Sequence, residues 1–431
     1  MNKEDLKKIK VLYYPYKAVK KVVQGSKNYL HYINSLGYIK MNKKRVQEKI
    51  NNKEILNVVF VVQYIPGWNK LEPIYSKMKK DDRFNPVIVC VPLNIQNHKL
   101  MDDEGNDTYE YFINHGYDAI DALESDGSWY DLKRLNPDYL FHSRPYNHFM
   151  PEPYTSGKIV KYALICNVIY GTCMTVNGLD VTLNKNYFRD TYMYYAFDKS
   201  ERKFYENRYK LGVKSSIQKC LPFGSIGMEQ ILEAEKEKEN NEFKKTILWT
   251  PRWSTDRYVG GSNFFNYKDV LIRLAKNNHN ILFMFRPHPL MFGNFIKTGE
   301  MTQKEVDDFK QYCKKEKNII LDESKEYSDI FWNSDILITD ASGIVPEYFI
   351  TEKPIMYCHS YGTFEYVEYA KDMIDSCYEV NNANDLYLHF SNLINGDDSK
   401  LNQRLACINK YFCDVKSNSA NILNSLGSGD L

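Results

Sequence analysis

The sequence lacks any apolar segment long enough to cross a lipid bilayer. No window reaches the ~18 consecutive apolar residues that a spanning helix needs, and the opening MNKEDLKKIK lacks the apolar core of a secretion signal. Nine cysteines are present, but no CxxC pair occurs and several lie in apolar runs. We therefore expect reduced core cysteines and a cytoplasmic protein, and we leave open a peripheral position at the inner face of the cell membrane.

Several catalytic signatures are also missing from the sequence. There is no DxD cluster, no HExxH pair, no Walker A loop and no nucleophile elbow. A net charge of only +2 gives no global attraction to nucleic acid. We therefore predict no metal site, no cofactor and no nucleic-acid partner.

The bulk composition is that of a globular protein of more than one domain. Of the 431 residues, 43% are hydrophobic and 26% are charged, which is far from the disordered and fibrous classes. A chain of this length normally divides into about two or three domains.

The basic charge is concentrated in residues 1–53. This segment carries fourteen Lys or Arg and only three acidic residues, interleaved with Val, Leu and Tyr. Such a basic aromatic arm is predicted to be helical, and two roles remain open for it. It can lie on an anionic membrane through residues 1–50, or it can pack on the core as a solvated basic helix.

Apolar runs alternate with helical patterns along the rest of the chain, which is typical of doubly wound α/β domains. In the first half, strands are predicted at 55–63, 86–93, 137–143 and 158–171. In the second half, they are predicted at 245–250, 280–285, 318–321, 335–339 and 354–358. The charged stretch 228–245 is interpreted as an exposed helix. The predicted division is an arm at 1–53, a first domain at 54–215, a charged helical linker at 216–244, a second domain at 245–380, and tail helices at 381–431 that cross back to the first domain.

Polar and charged side chains follow three strands of the second half. In open α/β sheets ligands bind beyond the carboxyl ends of the strands, so these side chains are expected to form one anion pocket. Two prolines hold His288 in a rigid loop, where an imidazole suits proton transfer or diphosphate binding. The predicted donor phosphate-binding residues are Thr250, Arg252, Arg286, Asp340, Ser342 and Gly343.

The stretch TDASGIVPEYF has the features of a phosphate-binding helix start. Ser342 is a candidate N-cap, Gly343 permits a sharp turn, and Pro346 falls in the first helical turn. The helix dipole then favours a phosphate, and Glu347 is predicted to accept hydrogen bonds from a ribose. An ordinary capped helix, and a structural histidine at position 288, remain as alternatives.

The motifs ILWTPRW, ILFMFRPHP and DILITDASGIVPEYFITEKPIMY, in this order, resemble the CDP-glycerol glycerophosphotransferase family of teichoic-acid and capsule enzymes. The resemblance is specific over 246–357 and looser upstream. It implies a GT-B fold: two facing Rossmann-like domains, with the nucleotide in the second and the acceptor toward the first. It also implies that His288 is the functional histidine, that Asp340 and Ser342 belong to the phosphate-side loop, and that Glu347 is the nucleotide-side acid.

One departure from the family pattern concerns the first domain. Where the family has a WHGTPLK-like motif, this sequence reads NVIYGTCMTVNG, which places Tyr170 at the position of a candidate catalytic histidine. A tyrosine with an ordinary pKa near ~10 is a poor base at neutral pH. His142, His148 or Asp180 are alternative bases.

Three functions follow from these observations. The first is a transferase that moves an alditol phosphate from a CDP-activated donor to a cell-wall or capsule polysaccharide or a lipid-linked acceptor. The second is a GT-B glycosyltransferase that uses a nucleotide sugar. The third is a catalytically silent scaffold that binds a nucleotide or a glycan.

Overall fold

Two parallel β-sheets, each flanked by helices, form the protein. The structure is a computed structural model that describes residues 10–101, 105–168, 171–184, 186–235, 242–256, 261–324, 327–359, 364–412 and 415–428. The sheets define an N-terminal lobe and a C-terminal lobe. The predicted α/β class with two Rossmann-like units is confirmed.

The sheet of the N-terminal lobe has seven strands in the order β5-β2-β1-β6-β7-β8-β9, and every pairing within it is parallel. Its inner strand β1 is buried almost throughout, as expected for an unbroken apolar run covered on both faces. The strands of this lobe, including the small hairpin β3–β4, are β1 Leu56–Val62, β2 Phe84–Cys90, β3 Ile95–Gln96, β4 Lys99–Leu100, β5 Ala119–Asp121, β6 Tyr139–His142, β7 Leu164–Val168, β8 Thr191–Tyr195 and β9 Lys219–Leu221.

The sheet of the C-terminal lobe has six parallel strands in the order β12-β11-β10-β13-β14-β15. Because β10 lies between β11 and β13, the loops that follow these three strands are neighbours. The strands are β10 Lys245–Thr250, β11 Ile281–Phe285, β12 Ile319–Leu321, β13 Ile336–Thr339, β14 Ile355–Cys358 and β15 Tyr378–Val380.

The helices connect and cover these strands. Those up to the crossing between lobes are α1 Lys10–Asn51, α2 Glu72–Met78, α3 Asp107–Asn114, α4 Ser156–Ile159, α5 Val176–Leu183, α6 Asn186–Asp190, α7 Lys199–Arg208, α8 Lys210–Lys214 and α9 Gly227–Glu233. Those that follow are α10 Phe264–Asn277, α11 Met291–Thr298, α12 Gln303–Lys315, α13 Ser328–Asn333, α14 Ile344–Phe349, α15 Glu368–Asp375, α16 Ala383–Ile394, α17 Leu401–Tyr411 and α18 Asn418–Gly427. Among the described residues, no helix has the length and apolar character to cross a membrane.

The predicted basic arm is the long helix α1. Its second half packs on the N-terminal lobe through the buried side chains of Leu36, Ile39 and Val46. Arg45 and Lys49 both pair with the fully buried carboxylate of Asp138, at 2.7 and 2.6 Å. The packing role that was left open is therefore observed for this half of the helix.

The stretch 228–245 differs from its prediction as one exposed helix. The helix α9 spans only Gly227–Glu233, and Met228, Glu229 and Ile231 are buried. The buried apolar residues Met228 and Ile231 determine the position of this helix between the lobes, and the surrounding charged residues do not. Residues 236–241 of this stretch lie outside the described part of the chain.

Two further details refine the predicted organisation. The segment 158–171 is not one strand, since α4 ends at Ile159 and β7 covers Leu164–Val168. The first sheet also continues beyond residue 215, because β9 pairs with β8. The predicted domain limits stay predictions.

The tail connects both lobes. Helix α16 packs on β15 of the C-terminal lobe, whereas α18 packs on α2 of the N-terminal lobe. Tyr139 of β6 donates a hydrogen bond to the carbonyl of Leu426, at 3.0 Å. The end of the described chain therefore completes the lobe that its beginning forms.

Candidate functional site

Three loops meet at the carboxyl edge of the C-terminal sheet. The backbone N–H of Arg252, after β10, donates to the carboxylate of Asp340, after β13, at 2.9 Å. The backbone N–H of His288, after β11, lies 3.4 Å from the carbonyl oxygen of Pro251. The predicted convergence of these three strand ends is therefore present in the structure.

Asp340 joins these loops through the hydrogen bonds of its buried carboxylate. Its carboxylate is only 2% exposed and also accepts hydrogen bonds from the backbone and side-chain amides of Asn263, the latter at 2.9 Å. Burial raises the pKa of Asp340 to about 6, although these donors and the charge of Arg252 act in the opposite direction. In this structure the carboxylate of Asp340 positions the loops through these bonds, and its contact with a phosphate stays a prediction.

Thr250 has a similar structural role. It is buried, and its hydroxyl donates to the hydroxyl of Thr339 at 2.8 Å, while Thr339 donates to the carbonyl of Thr250. These bonds join the ends of β10 and β13. Thr250 therefore holds the two strand ends together, and its contact with a phosphate stays a prediction.

Arg252 and His288 are partly exposed, and they are close enough for the charge of Arg252 to affect the pKa of His288. Arg252 donates from its guanidinium to the carbonyl of Ala341, and burial lowers the pKa of Arg252. Burial, assisted by the charge of Arg252, lowers the pKa of His288 to about 4. The imidazole is therefore neutral at physiological pH, beside a guanidinium that stays charged.

The tautomer of His288 follows from its backbone contact. Its Nδ1 accepts a hydrogen bond from the N–H of Leu290 at 3.1 Å. A neutral ring whose Nδ1 is an acceptor carries its proton on Nε2. In this state His288 offers an N–H donor and not a basic nitrogen at Nε2.

Gly343 lies close to the N-terminal lobe and has an ordinary backbone angle. Its φ is −60° and it occupies the N-cap of α14, so Ser342, predicted as N-cap, precedes that position. The hydroxyl of Ser342 lies 3.4 Å from the N–H of Ile344. A Cβ on Gly343 would lie 3.4 Å from the carbonyl oxygen of Thr172, so this residue brings the loop of the N-terminal lobe against the site.

Arg286 turns away from this cluster. Its guanidinium pairs with Asp322 and donates to the hydroxyl and carbonyl of Ser324, at 3.0 and 2.9 Å. It also lies 5.6 Å from the ring of Tyr327. The structure thus shows Arg286 holding the loop after β12, and its binding to phosphate stays a prediction.

Glu347 lies in a buried network between the lobes. One oxygen accepts from Lys70 of the N-terminal lobe, and the other accepts from the hydroxyl of Tyr327 at 2.6 Å. Burial alone would lower the pKa of Lys70, but Glu347 and Tyr327 together raise it above its ordinary value. A carboxylate occupied in this way is not presented to a ribose in this structure, and that contact stays a prediction.

Sequence reasoning missed Lys70, Tyr327 and Asn263. Lys70 and its partner Glu347 are 277 residues apart, so no local pattern connects them. One sequence signal was available for Lys70, because it directly follows the Pro-Gly loop at the carboxyl end of β1. By the rule that ligands bind at such ends, this loop was also a candidate for the cleft.

Only some of the residues that were predicted as bases in the N-terminal lobe belong to the described part of the chain. Tyr170 lies outside the described residues. His142 is 3% exposed, its two ring nitrogens contact the hydroxyl of Tyr187 and the carbonyl of Tyr154, and burial lowers its pKa to about 4. Enclosed in this way, His142 is a core residue and not an alternative base. Asp180 pairs with Arg208.

No group of three or more His, Cys, Asp or Glu comes together as metal ligands among the residues that the structure describes. The prediction that the reaction needs no metal or cofactor is not tested by this observation.

Solved structures of other proteins share this fold. The structure resembles a putative UDP-N-acetylglucosamine 2-epimerase from Listeria monocytogenes, with a TM-score of 0.57, 9% identity, and coverage of 86% of this chain and 96% of that chain. It also resembles the wall teichoic acid polymerase TagF soaked with CDPG, with a TM-score of 0.54, 13% identity, and coverage of 94% and 97%. At these identities the likeness shows the fold, and the predicted GT-B arrangement is confirmed.

Sequence comparison finds a family model that matches the second half of the chain. No curated protein matches the chain, but residues 225–422 match the model of the CDP-glycerol:poly(glycerophosphate) glycerophosphotransferases. The matched region contains Arg252, His288 and the 340–343 loop. The predicted resemblance to this family is therefore confirmed over residues 225–422.

Proposed function

We propose that the protein transfers glycerol phosphate, or a similar alditol phosphate, from a CDP-linked donor to a polysaccharide of the cell wall or capsule. The observation that carries this proposal is the pairing of a charged Arg252 with a neutral His288 at the carboxyl edge of a family-matched sheet. A guanidinium and an N–H donor at such an edge suit a diphosphate.

The transfer itself is a displacement at phosphorus. An acceptor hydroxyl attacks the phosphorus that bears the alditol, and the bond from this phosphorus to the oxygen it shares with CMP breaks. CMP leaves with the electron pair, and the hydroxyl proton passes to a group on the side of the N-terminal lobe. Arg252 and the Nε2–H of His288 stabilise the charge that grows on the leaving phosphate.

Loops from both lobes border this position. Thr172 approaches Gly343 closely, so the segment that follows Tyr170 faces the loop after β13. An acceptor bound by the N-terminal lobe would therefore reach a donor held by the C-terminal lobe. Such an approach is what an in-line displacement needs.

The proposed activity is tested by incubating the full chain with CDP-glycerol and a wall-polymer acceptor and measuring the CMP released. We expect acceptor-dependent CMP release, and a decrease of about a hundredfold or more in kcat for His288→Ala. A folded His288→Ala protein with full turnover would contradict the role of this residue. Release of UDP from a nucleotide sugar would instead establish a glycosyltransferase, and CDP binding without turnover a silent scaffold.

We also propose that α1 contacts the inner face of the cell membrane. On the side of the helix away from the lobe, Val23, Leu30 and Met41 are 48%, 61% and 56% exposed. They are seven and eleven residues apart, which keeps them on one helical face. With lysines on the same helix, this face suits an anionic surface.

The membrane contact is best tested by substitution, because deletion of residues 1–50 would also remove core side chains of α1. We expect the triple variant Val23→Glu, Leu30→Glu and Met41→Glu to keep its melting temperature and to lose most of its sedimentation with anionic vesicles. Wild-type protein that does not sediment, or a variant that sediments equally well, would leave α1 as a packing element.

A further inference from the structure

Asn263 lies at the start of α10 but does not cap that helix with its side chain. It occupies the N-cap position, where an asparagine side chain normally accepts a hydrogen bond from a backbone N–H of the first turn. The side chain of Asn263 makes no such bond. The residue is only 4% exposed, so its polar atoms have their partners inside the protein and not in water. A capping role therefore does not explain this buried asparagine.

The side-chain amide of Asn263 contacts the loops that follow two neighbouring strands of the C-terminal sheet. Its Nδ2 donates to the carboxylate of Asp340, after β13, at 2.9 Å. The same atom lies 3.3 Å from the carbonyl oxygens of Cys358 and His359, at the end of β14. Since these oxygens only accept hydrogen bonds, the amide presents its NH₂ group to them. Its Oδ1 accepts from Nδ2 of Asn266, at 2.9 Å, which agrees with this orientation.

Through Asp340, Asn263 is connected to the candidate donor site. The carboxylate of Asp340 accepts from the backbone N–H of Arg252 at 2.9 Å, and from the backbone N–H of Asn263 at 3.2 Å. The side chain and the backbone of Asn263 therefore hold one carboxylate that also holds the loop of Arg252. Ser342 follows Asp340 by two residues in the same loop. Asn263 thus joins the loops after β10, β13 and β14 at one edge of the sheet.

Another buried asparagine of the same lobe shows what a purely structural role looks like. Asn318 directly precedes β12, at the opposite, amino edge of the sheet, and it is also 4% exposed. The partners of its Nδ2 are uncharged backbone carbonyls, those of Ala275, Asn278 and Ile281, at 2.9, 3.2 and 3.1 Å. Asn263 differs because its shortest side-chain bond as a donor is to a carboxylate.

The protonation of Asp340 depends on several groups around it. Burial raises its pKa to about 6, whereas the hydrogen bonds from Arg252 and Asn263 and the charge of Arg252 act in the opposite direction. Two further ionisable groups near this carboxylate are Tyr357 and Cys358. Burial raises the pKa of both well above their ordinary values, so they stay neutral where Asp340 titrates. Asn263 and Arg252 therefore favour the ionised state of the carboxylate.

We propose that Asn263 is a positioning residue of the donor site, which acts by keeping the Asp340 carboxylate ionised and in contact with the loop of Arg252. This proposal rests on the proposed transferase function, because the loops concerned are those of the donor site. Without the amide, the carboxylate would take up a proton at a higher pH and would hold the loop of Arg252 less firmly.

The first test is the pH profile of kcat/KM for CDP-glycerol in the wild type, Asn263→Ala and the matched control Asn318→Ala. We expect Asn263→Ala to move the acid limb upward by about one pH unit, because a hydrogen bond to a charged group exceeds one to a neutral group by roughly this amount. Asn263→Ser, which keeps a favourable N-cap residue, should give the same shift if the alanine variant folds poorly. Asn318→Ala should leave the limb in place.

The second test does not depend on turnover. Urea unfolding of the same proteins is compared at pH 5, where Asp340 is mostly protonated in the native state, and at pH 8, where it is ionised. A raised native pKa of a carboxyl group destabilises the protein only where that group is ionised. The increase in the unfolding equilibrium constant caused by Asn263→Ala should thus be about tenfold larger at pH 8 than at pH 5. For Asn318→Ala the increase should be the same at both pH values.

Three results would overturn the proposal: an acid limb that stays in place in Asn263→Ala, a limb that moves equally in Asn318→Ala, or an effect of Asn263→Ala on unfolding that is independent of pH. Wild-type protein that releases no CMP from CDP-glycerol would instead count against the transferase function. In that case the unfolding comparison would still decide whether Asn263 acts through Asp340.

Discussion

At the scale of single residues, His288 and Asp340 have opposite pKa shifts from the same cause. Burial disfavours a charge on either group, so it lowers the pKa of the imidazole to about 4 and raises that of the carboxyl to about 6. In the free protein His288 is therefore neutral above pH ~5, while Asp340 takes up a proton as the pH falls through about 6.

These shifts predict the pH dependence of donor use. Because kcat/KM reports groups of the free enzyme, its acid limb should lie near pH 6 and follow Asp340, whose protonation weakens its hold on Arg252 and Asn263. Asp340→Asn should lose this limb at the cost of lower activity throughout. The measurement is the pH profile of kcat/KM for CDP-glycerol between pH 4 and 9 in both proteins. An unchanged limb in Asp340→Asn would assign it to another group.

At the scale of secondary-structure elements, α9 is a short buried helix that contacts both lobes. Gln230 donates to Glu72 of the N-terminal lobe, and the carbonyl of Ile231 accepts from the indole of Trp332 in the C-terminal lobe, at 2.6 Å. Gly227, at its start, leaves the space through which Lys70 reaches Glu347, since a Cβ there would lie 2.5 Å from Nζ of Lys70.

Gly227→Ala is therefore expected to displace Lys70 and to destabilise the protein by about 1–3 kcal/mol. Gly293→Ala is the matched control, because Gly293 also lies in a helix and has nothing within 4 Å of its Cβ position. There the higher helix propensity of alanine should stabilise by up to ~1 kcal/mol. Thermal or urea unfolding measures both. Equal effects of the two substitutions would show that the gap at Gly227 is not needed.

The secondary-structure elements also show which features of the fold can be predicted from the sequence. Five of the six strands of the C-terminal lobe, such as Ile281–Phe285, were predicted within a residue or two, because a continuous apolar run is typical of the middle of a parallel sheet. The short edge strand β15, Tyr378–Val380, was not predicted. The helix α9 lies where a helix was predicted, but it is shorter and more buried than predicted. The charged neighbours dominate the composition, whereas the burial depends on distant partners.

The candidate site, too, could be predicted from the sequence only in part. The rule that ligands gather at carboxyl strand ends located Arg252, His288 and Ser342 correctly in space. The same rule does not say which side chains face outward, and Thr250 and Asp340 turned out to be buried supports. Lys70 could not be predicted, because its partner Glu347 belongs to the other lobe.

At the scale of the whole molecule, the buried pair of Lys70 and Glu347 joins the two lobes. Their side chains are 5% and 7% exposed, and Tyr327 contacts both, at 3.1 Å from Nζ of Lys70. In such a place each charge depends on the other, because neither is solvated by water.

Removing one of the two charges should therefore destabilise the protein more than removing both. We expect Lys70→Met to destabilise by about 3–5 kcal/mol, and the double variant Lys70→Met with Glu347→Gln to recover a large part, since glutamine still accepts from Tyr327. Unfolding of wild type, both single variants and the double variant completes the cycle. Additive losses would show that the two charges do not depend on each other.

The contact of α18 with the N-terminal lobe has a consequence for how the protein is made. Tyr139 bonds to Leu426, and a Cβ on Gly427 would meet Arg83 at 2.8 Å, so the last described helix is part of the surface of the first lobe. On the ribosome, domains generally fold as they emerge, the N-terminal one first. We therefore expect the first lobe to keep an apolar face uncovered until residues 418–427, with the buried Ile422 and Leu426, have been synthesised after the strands of both sheets.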